Sequence, residues 1–132
     1  MAVRFEFDAI NKLLVARLEG KLTDELLAEF YEAVRGHATA TDACAGIADF
    51  SGVTEFAVSN AMVRRLARQE PAMPDPTRRP RMVAAPQAHV YGICRMFQLM
   101  GESTRPLLTI VHTMDEALTK LGVQSPHLEP LE

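Results

Sequence analysis

The feature that most constrains this chain is a repeated change of apolar period: stretches at strand spacing and stretches at helix spacing follow one another, with turn residues where the period changes. Phe5 and Phe7 alternate with Arg4, Glu6 and Asp8. After the polar break at Asn11-Lys12, the run Leu13-Leu-Val-Ala-Arg-Leu reads as a second strand that Gly20 ends, and the two predict an antiparallel hairpin. Thr23 is placed to cap a helix with Asp24 and Glu25 in its first turn. Leu26, Leu27, Phe30, Tyr31 and Val34 share one face of that helix, and Gly36 is its expected stop. Cys44 to Phe50 reads as a buried strand that turns acidic at Asp49 and ends at Ser51-Gly52. A second helix opens near Ser59, with Met62, Val63, Leu66 and Ala67 inward and Arg64, Arg65 and Arg68 outward.

Pro71, Pro74, Pro76 and Pro80 cannot sit inside a helix or a central strand, so they predict an extended surface connection. Arg81 to Pro86 then reads as a strand, Ala88 to Met100 as a third helix ended by Gly101, and Leu107 to Val111 as a fifth strand. Thr113-Met-Asp-Glu116 has capping-box spacing, and Gly122 terminates the fourth helix. The order is ββαβαβαβα. It predicts an α/β fold with a mixed five-stranded sheet: an N-terminal antiparallel hairpin, then parallel strands joined by right-handed crossovers, with four helices. Residues 1–123 are expected to form a single domain, and 124–132, with Pro126 and Pro130, a frayed tail.

With 132 residues the chain needs no cross-link to be stable, and Cys44 and Cys94, each among apolar neighbours, read as reduced core cysteines. The four histidines have no metal-ligand spacing, and no cofactor is expected. A formal charge of -3 argues against a nucleic-acid partner. No apolar stretch approaches the ~20 residues of a membrane span, and the charged start lacks a signal-peptide core, so the reading is cytoplasmic with no membrane insertion. Dinucleotide, phosphate-loop and hydrolase motifs are missing. Asp49, Ser51 and His89 supply the residue types of a catalytic triad without its geometry, so the chain does not read as an enzyme.

The element order, with Asp49-Phe-Ser51-Gly52-Val53-Thr followed by a helix opening near Ser59, resembles the STAS domain of the anti-sigma factor antagonists, in particular small stand-alone bacterial STAS-like proteins. The run Thr-Ile-Val-His-Thr-Met-Asp-Glu-Ala-Leu, closing on the last helix, and the segment Ala84-Ala85-Pro86 through Tyr91-Gly92 and Arg95-Met96-Phe97 carry the same resemblance, from about Val3 to Val123. It implies a STAS-like fold and a non-enzymatic regulatory role. In the antagonists the helix after the third strand opens with Asp-Ser-Ser-Gly, and a kinase phosphorylates the second serine. The corresponding positions here are Ala57, Val58, Ser59 and Asn60. Ser59 keeps the acceptor hydroxyl, while the other three differ, and an N-cap role for it stands beside the phosphoacceptor role.

Parallel strands would bring Asp49, Ser51, Ser59, Gln87, His89 and Thr113 toward the carboxyl-end rim of the sheet, where an anion could rest on free N–H groups. The third helix is apolar nearly all round: Val90, Ile93, Cys94, Phe97 and Met100 make one face, and Tyr91, Gly92, Met96 and Leu99 a second. That second face is either monomer core or a homodimer or partner interface. Residues 61–81 carry net +4, and Arg64 and Arg68 are candidates to grip an acidic partner. Arg95, on an otherwise apolar helix, is expected to meet a carboxylate such as Glu102 or an external anion. Two functions follow: a regulatory protein-interaction module, or a binder of an anionic or lipid-like small molecule between the third helix and the carboxyl-end rim.

Overall fold

The computed structural model describes residues 3–73 and 78–131. Its elements are β1 (Val3–Asp8), β2 (Leu13–Thr23), α1 (Asp24–Thr41), β3 (Ala45–Ala57), α2 (Asn60–Arg68), β4 (Arg81–Ala84), α3 (Ala88–Met100), β5 (Leu108–Val111), α4 (Met114–Leu121) and β6 (Glu129–Leu131). They build one sheet in the order β5-β4-β3-β2-β1-β6. Strands β2 to β5 run parallel, and β1 lies antiparallel to both β2 and β6. From β2 to β5 each crossover moves one strand in the same direction, so right-handed connections put α1, α2 and α3 on one face. Accordingly Leu27, Tyr31, Met62, Leu66, Val90 and Cys94 share a core cluster with Phe50 and Ile110. Helix α4 covers the other face, where Ala117 packs with Leu13, Val15, Ile47 and Met82. Burial from both sides explains why Leu13 to Ala16 is a continuous apolar run.

Four expectations about boundaries are corrected. Gly20 does not end β2 and Ser51-Gly52 does not end β3; the two strands stay paired to Thr23 and Ala57 across two register shifts. Gly20 takes φ 86°, and a Cβ at Gly52 would lie 2.8 Å from Glu19 Cγ and 2.9 Å from the Leu18 carbonyl, so the glycines allow bulges. Gly36 does not stop α1, which runs on to Thr41 and a left-handed Asp42. The tail expected to fray adds a sixth strand, β6, which pairs Phe5 with Leu131.

Asp8 anchors that tail. Its fully buried carboxylate accepts hydrogen bonds from the Ile10, Asn11 and His127 backbone N–H groups and from the Asn11 side chain. Burial alone would push its pKa up, but these hydrogen bonds outweigh burial and hold it below the ordinary 3.8. Cys94 is buried as expected, and burial pushes its thiol up to about 12, whereas Cys44 is exposed rather than in the core. Pro74 and Pro76 of the expected surface connection lie outside the described residues.

Candidate functional site

The parallel strands deliver four helix starts to one edge of the sheet, capped by the side chains of Thr23, Ser59 and Thr113, while Gln87 takes the N-cap position of α3 without a side-chain cap bond. Ser59 uses its hydroxyl fully. The oxygen accepts from Met62 N–H at 3.1 Å, and its proton goes to Asp24 Oδ2 at 2.7 Å, while Ser59 N–H donates to Asp24 Oδ1 at 2.8 Å. These two bonds, with the charge of Arg65, keep Asp24 below its ordinary pKa. A negative group added at Ser59 would face that carboxylate. At the last helix Thr113 Oγ1 accepts from Glu116 N–H, and the Glu116 carboxylate accepts from His112 N–H at 2.8 Å. Thr113 is thereby occupied as a cap.

Asp49 and Ser51 lie within β3, not at its end, because the strand runs on to Ala57. Asp49 is buried on the α4 side of the sheet. Its carboxylate accepts from Ser51 N–H at 2.9 Å, from the Ser51 hydroxyl at 2.5 Å and from Arg17 at 2.8 Å. Arg17 also pairs with Glu6, and the two carboxylates raise its pKa although burial works against it. His89 instead sets its ring edge-on to Phe56, 6.2 Å between centroids, and Gln87 donates to the Val53 carbonyl. Among the described residues no imidazole meets the Asp49–Ser51 pair, so the three triad residue types are not assembled as a relay.

The third helix is two-sided, but Met100, expected on the face of Val90 and Cys94, lies on the exposed side with Met96 and Leu99, because it sits one turn beyond Met96. Val90 and Cys94 are buried, and Tyr91 stacks on His112 with centroids 4.1 Å apart. Gly92 is exposed, and Met96, Leu99 and Met100 are 41%, 60% and 42% exposed. Arg64 and Arg68 are exposed on α2. Arg95 is also exposed and donates to the Gln98 side-chain oxygen, so the expectation of a Glu102 carboxylate partner is corrected. At position 95 the helix faces water, and no desolvated charge arises there.

Among the described residues, a buried cation and a half-buried one stand elsewhere, at two arginines that no sequence motif marked. Arg105 is 3% exposed. Its guanidinium donates to the carbonyls of Leu66, Ala67 and Gln69 at 2.9 to 3.0 Å, and to Tyr31 Oη at 3.1 Å. It thus closes the carboxyl end of α2, where free carbonyls and the helix dipole both favour a cation. Arg81 opens β4 between Gly46 and Leu108. Its Nε and Nη2 are buried with no hydrogen-bond partner. Burial, reinforced by the nearby charge of Arg105, pushes its pKa down to about 10. Among the described residues neither guanidinium pairs with a carboxylate.

Arg81 lines a cavity of about 180 Å³ between the sheet and the layer of α1, α2 and α3. Phe30, Phe50, Met82, Ile93, Cys94 and Phe97 are among its apolar walls. The cavity touches α3, but its charged wall stands at the amino end of β4, away from the carboxyl-end rim where the ligand was expected. Gly46 helps leave the space open: a Cβ there would come within 3.2 Å of Met73 Sδ.

No family model matches the chain, and no curated protein matches it. Among solved structures it is similar to the Bacillus cell fate determinant SpoIIAA in the phosphorylated form, at 20% identity and a TM-score of 0.54, over 91% of this chain and 99% of that one. The likeness is one of fold, and the present chain has a STAS-like fold. No helix among the described residues is long and apolar enough to cross a membrane.

Proposed function

We propose that the chain is a non-enzymatic regulatory module of the cytoplasm that works by binding protein surfaces, first of all a second copy of itself. The carrying observation is the apolar ridge of Met96, Leu99 and Met100, exposed on a helix whose opposite side closes the core. Exposed apolar side chains grouped in this way mark interaction surfaces more often than isolated ones do. Tyr91 and Gly92 extend the ridge toward the start of α3, and the glycine leaves room for close approach of a partner backbone. Exposed Arg64 and Arg68 on neighbouring α2 suit an acidic second partner. The STAS-like fold supports the regulatory reading.

Ser59 acts in this reading as a structural cap and as the tie between the starts of α1 and α2, because both hydrogen-bonding capacities of its hydroxyl are used. The test of the module is sedimentation of the wild type and of the Met96→Glu, Leu99→Glu double variant. The wild type should associate between micromolar and millimolar concentration, and the variant should remain a folded monomer. A wild type that stays monomeric throughout that range overturns the proposal.

A further inference from the structure

The centre of the sheet is built from small residues on the side that faces α1, α2 and α3. Ala16, Ala48 and Val83 lie in register across three strands, flanked by the larger Phe5 and Ile110, and Gly46 stands two residues before Ala48 on the same face. Under covering helices the middle of the central parallel strands is where side chains should be most deeply buried. Ala48 and Val83 are nevertheless only half-buried, although Ile47, Met82 and Ala84 on the opposite face are buried in the cluster with α4. Phe30, Ile93 and Phe97, which reach down from α1 and α3, are half-buried as well. The helices therefore do not close on the strands, and the gap between them is the cavity of about 180 Å³.

From this arrangement we infer that the cavity is a binding site for one small neutral hydrocarbon, seated on Ala48 and Val83 and walled by Phe30, Phe50, Ile93 and Phe97. Protein interiors are close-packed, and side chains around a gap lose the contact atoms that packing would supply, so an apolar occupant restores them. An apolar cavity of about 150 Å³ stays dry and holds benzene, so this slightly larger one suits roughly six to eight carbons. The walls select against charge. Arg81 is the only charged residue in the lining among the described residues, and its Nε and Nη2 are closed to solvent, so they offer nothing to a head group in the space. A carboxylate or ammonium taken into the cavity would lose its water without gaining a partner. The inference goes beyond the protein-interaction reading and does not depend on it: the ridge of Met96, Leu99 and Met100 lies outside the cavity lining.

Toluene is the probe, added to the full-length chain while methyl resonances are followed by nuclear magnetic resonance, with benzoate as its charged counterpart. The methyl signals of Ala48 and Val83 should shift and saturate at millimolar toluene or below, and benzoate should bind at least tenfold more weakly. Ala48→Leu puts a larger side chain on the cavity floor. It should weaken toluene at least tenfold and raise the melting temperature of the ligand-free chain, whereas a closed core would be overpacked by the same change and melt earlier. Ile93→Phe enters the space from the helix side and should weaken toluene in the same way, so the test does not rest on one variant. Unshifted Ala48 and Val83 signals at saturating toluene, shifts confined to Met96, Leu99 and Met100, equal affinity for benzoate, earlier melting of Ala48→Leu, or undiminished toluene binding in the folded variants would each overturn the assignment.

Discussion

Arg105 and Arg81 lie in the same layer of the molecule, close enough for their charges to oppose one another, and they meet opposite fates. At the end of α2 the chain surrounds Arg105 with three carbonyls and a phenol. At the start of β4 it leaves two donors of Arg81 with nothing. Burial alone therefore does not say whether a charge stabilises a fold; the acceptors around it do. A satisfied guanidinium works as a structural cap, and an unsatisfied one bears the cost of burial without that return.

The largest effect that tests this contrast is on stability. Arg105→Met leaves the Leu66, Ala67 and Gln69 carbonyls without that donor, and urea unfolding should register a loss of about 3 kcal/mol. Arg81→Met removes an unpartnered buried charge, and in ligand-free protein it should be neutral or stabilising by about 1 kcal/mol. Losses of similar size in both variants would erase the distinction.

At the surface, Ser59 extends the contrast to a fully used hydroxyl. Ser59→Ala should lose about 1 kcal/mol as the cap of α2. Ser59→Asp, which cap preference by itself would treat as harmless, should be less stable than Ser59→Ala at low salt, because its carboxylate meets Asp24. High salt should narrow that gap. A Ser59→Asp protein as stable as wild type at low salt would refute the Asp24 contact.

The smallest expected effect belongs to Asp8, an acidic counterpart of Arg105 in being fully partnered. Its pKa is lower folded than unfolded, so its charge-linked contribution is complete above the ordinary 3.8 and is lost as pH falls through the lower folded value. The stability difference between wild type and Asp8→Asn should therefore shrink on acidification below that point. Denaturant titrations across acid pH would measure it, and a difference independent of pH would remove the linkage.

Much of the fold was legible because apolar period and helix caps are local. Thr23, Ser59 and Thr113 cap the helices that they were expected to cap, and Met62, Val63, Leu66 and Ala67 face inward. Glycine was misread where it served a bulge, at Gly52, or had open space around it, at Gly36, since the same residue type marks turns. β6 was missed because Glu129-Pro-Leu131 is a short edge strand that pairs with β1 at the far end of the chain, next to His127, which is tied to Asp8 across 119 residues. The candidate site was the least legible part. The rule that a buried arginine needs a counter-charge was sound, but it was applied to Arg95, which points to water. Arg81 and Arg105 resemble ordinary surface arginines in sequence; only the packing of α2 and α3 over the amino end of the sheet buries them.

The central claim, that one guanidinium is complete and the other lacks acceptors, is tested most directly by the Nη–H resonances of Arg81 and Arg105 in nuclear magnetic resonance spectra. The account predicts that the Arg105 protons, held on the Leu66, Ala67 and Gln69 carbonyls, give resolved signals that exchange slowly with water, while those of Arg81 are averaged by rotation about the guanidinium. Averaged signals at both arginines, or resolved signals at both, would contradict it.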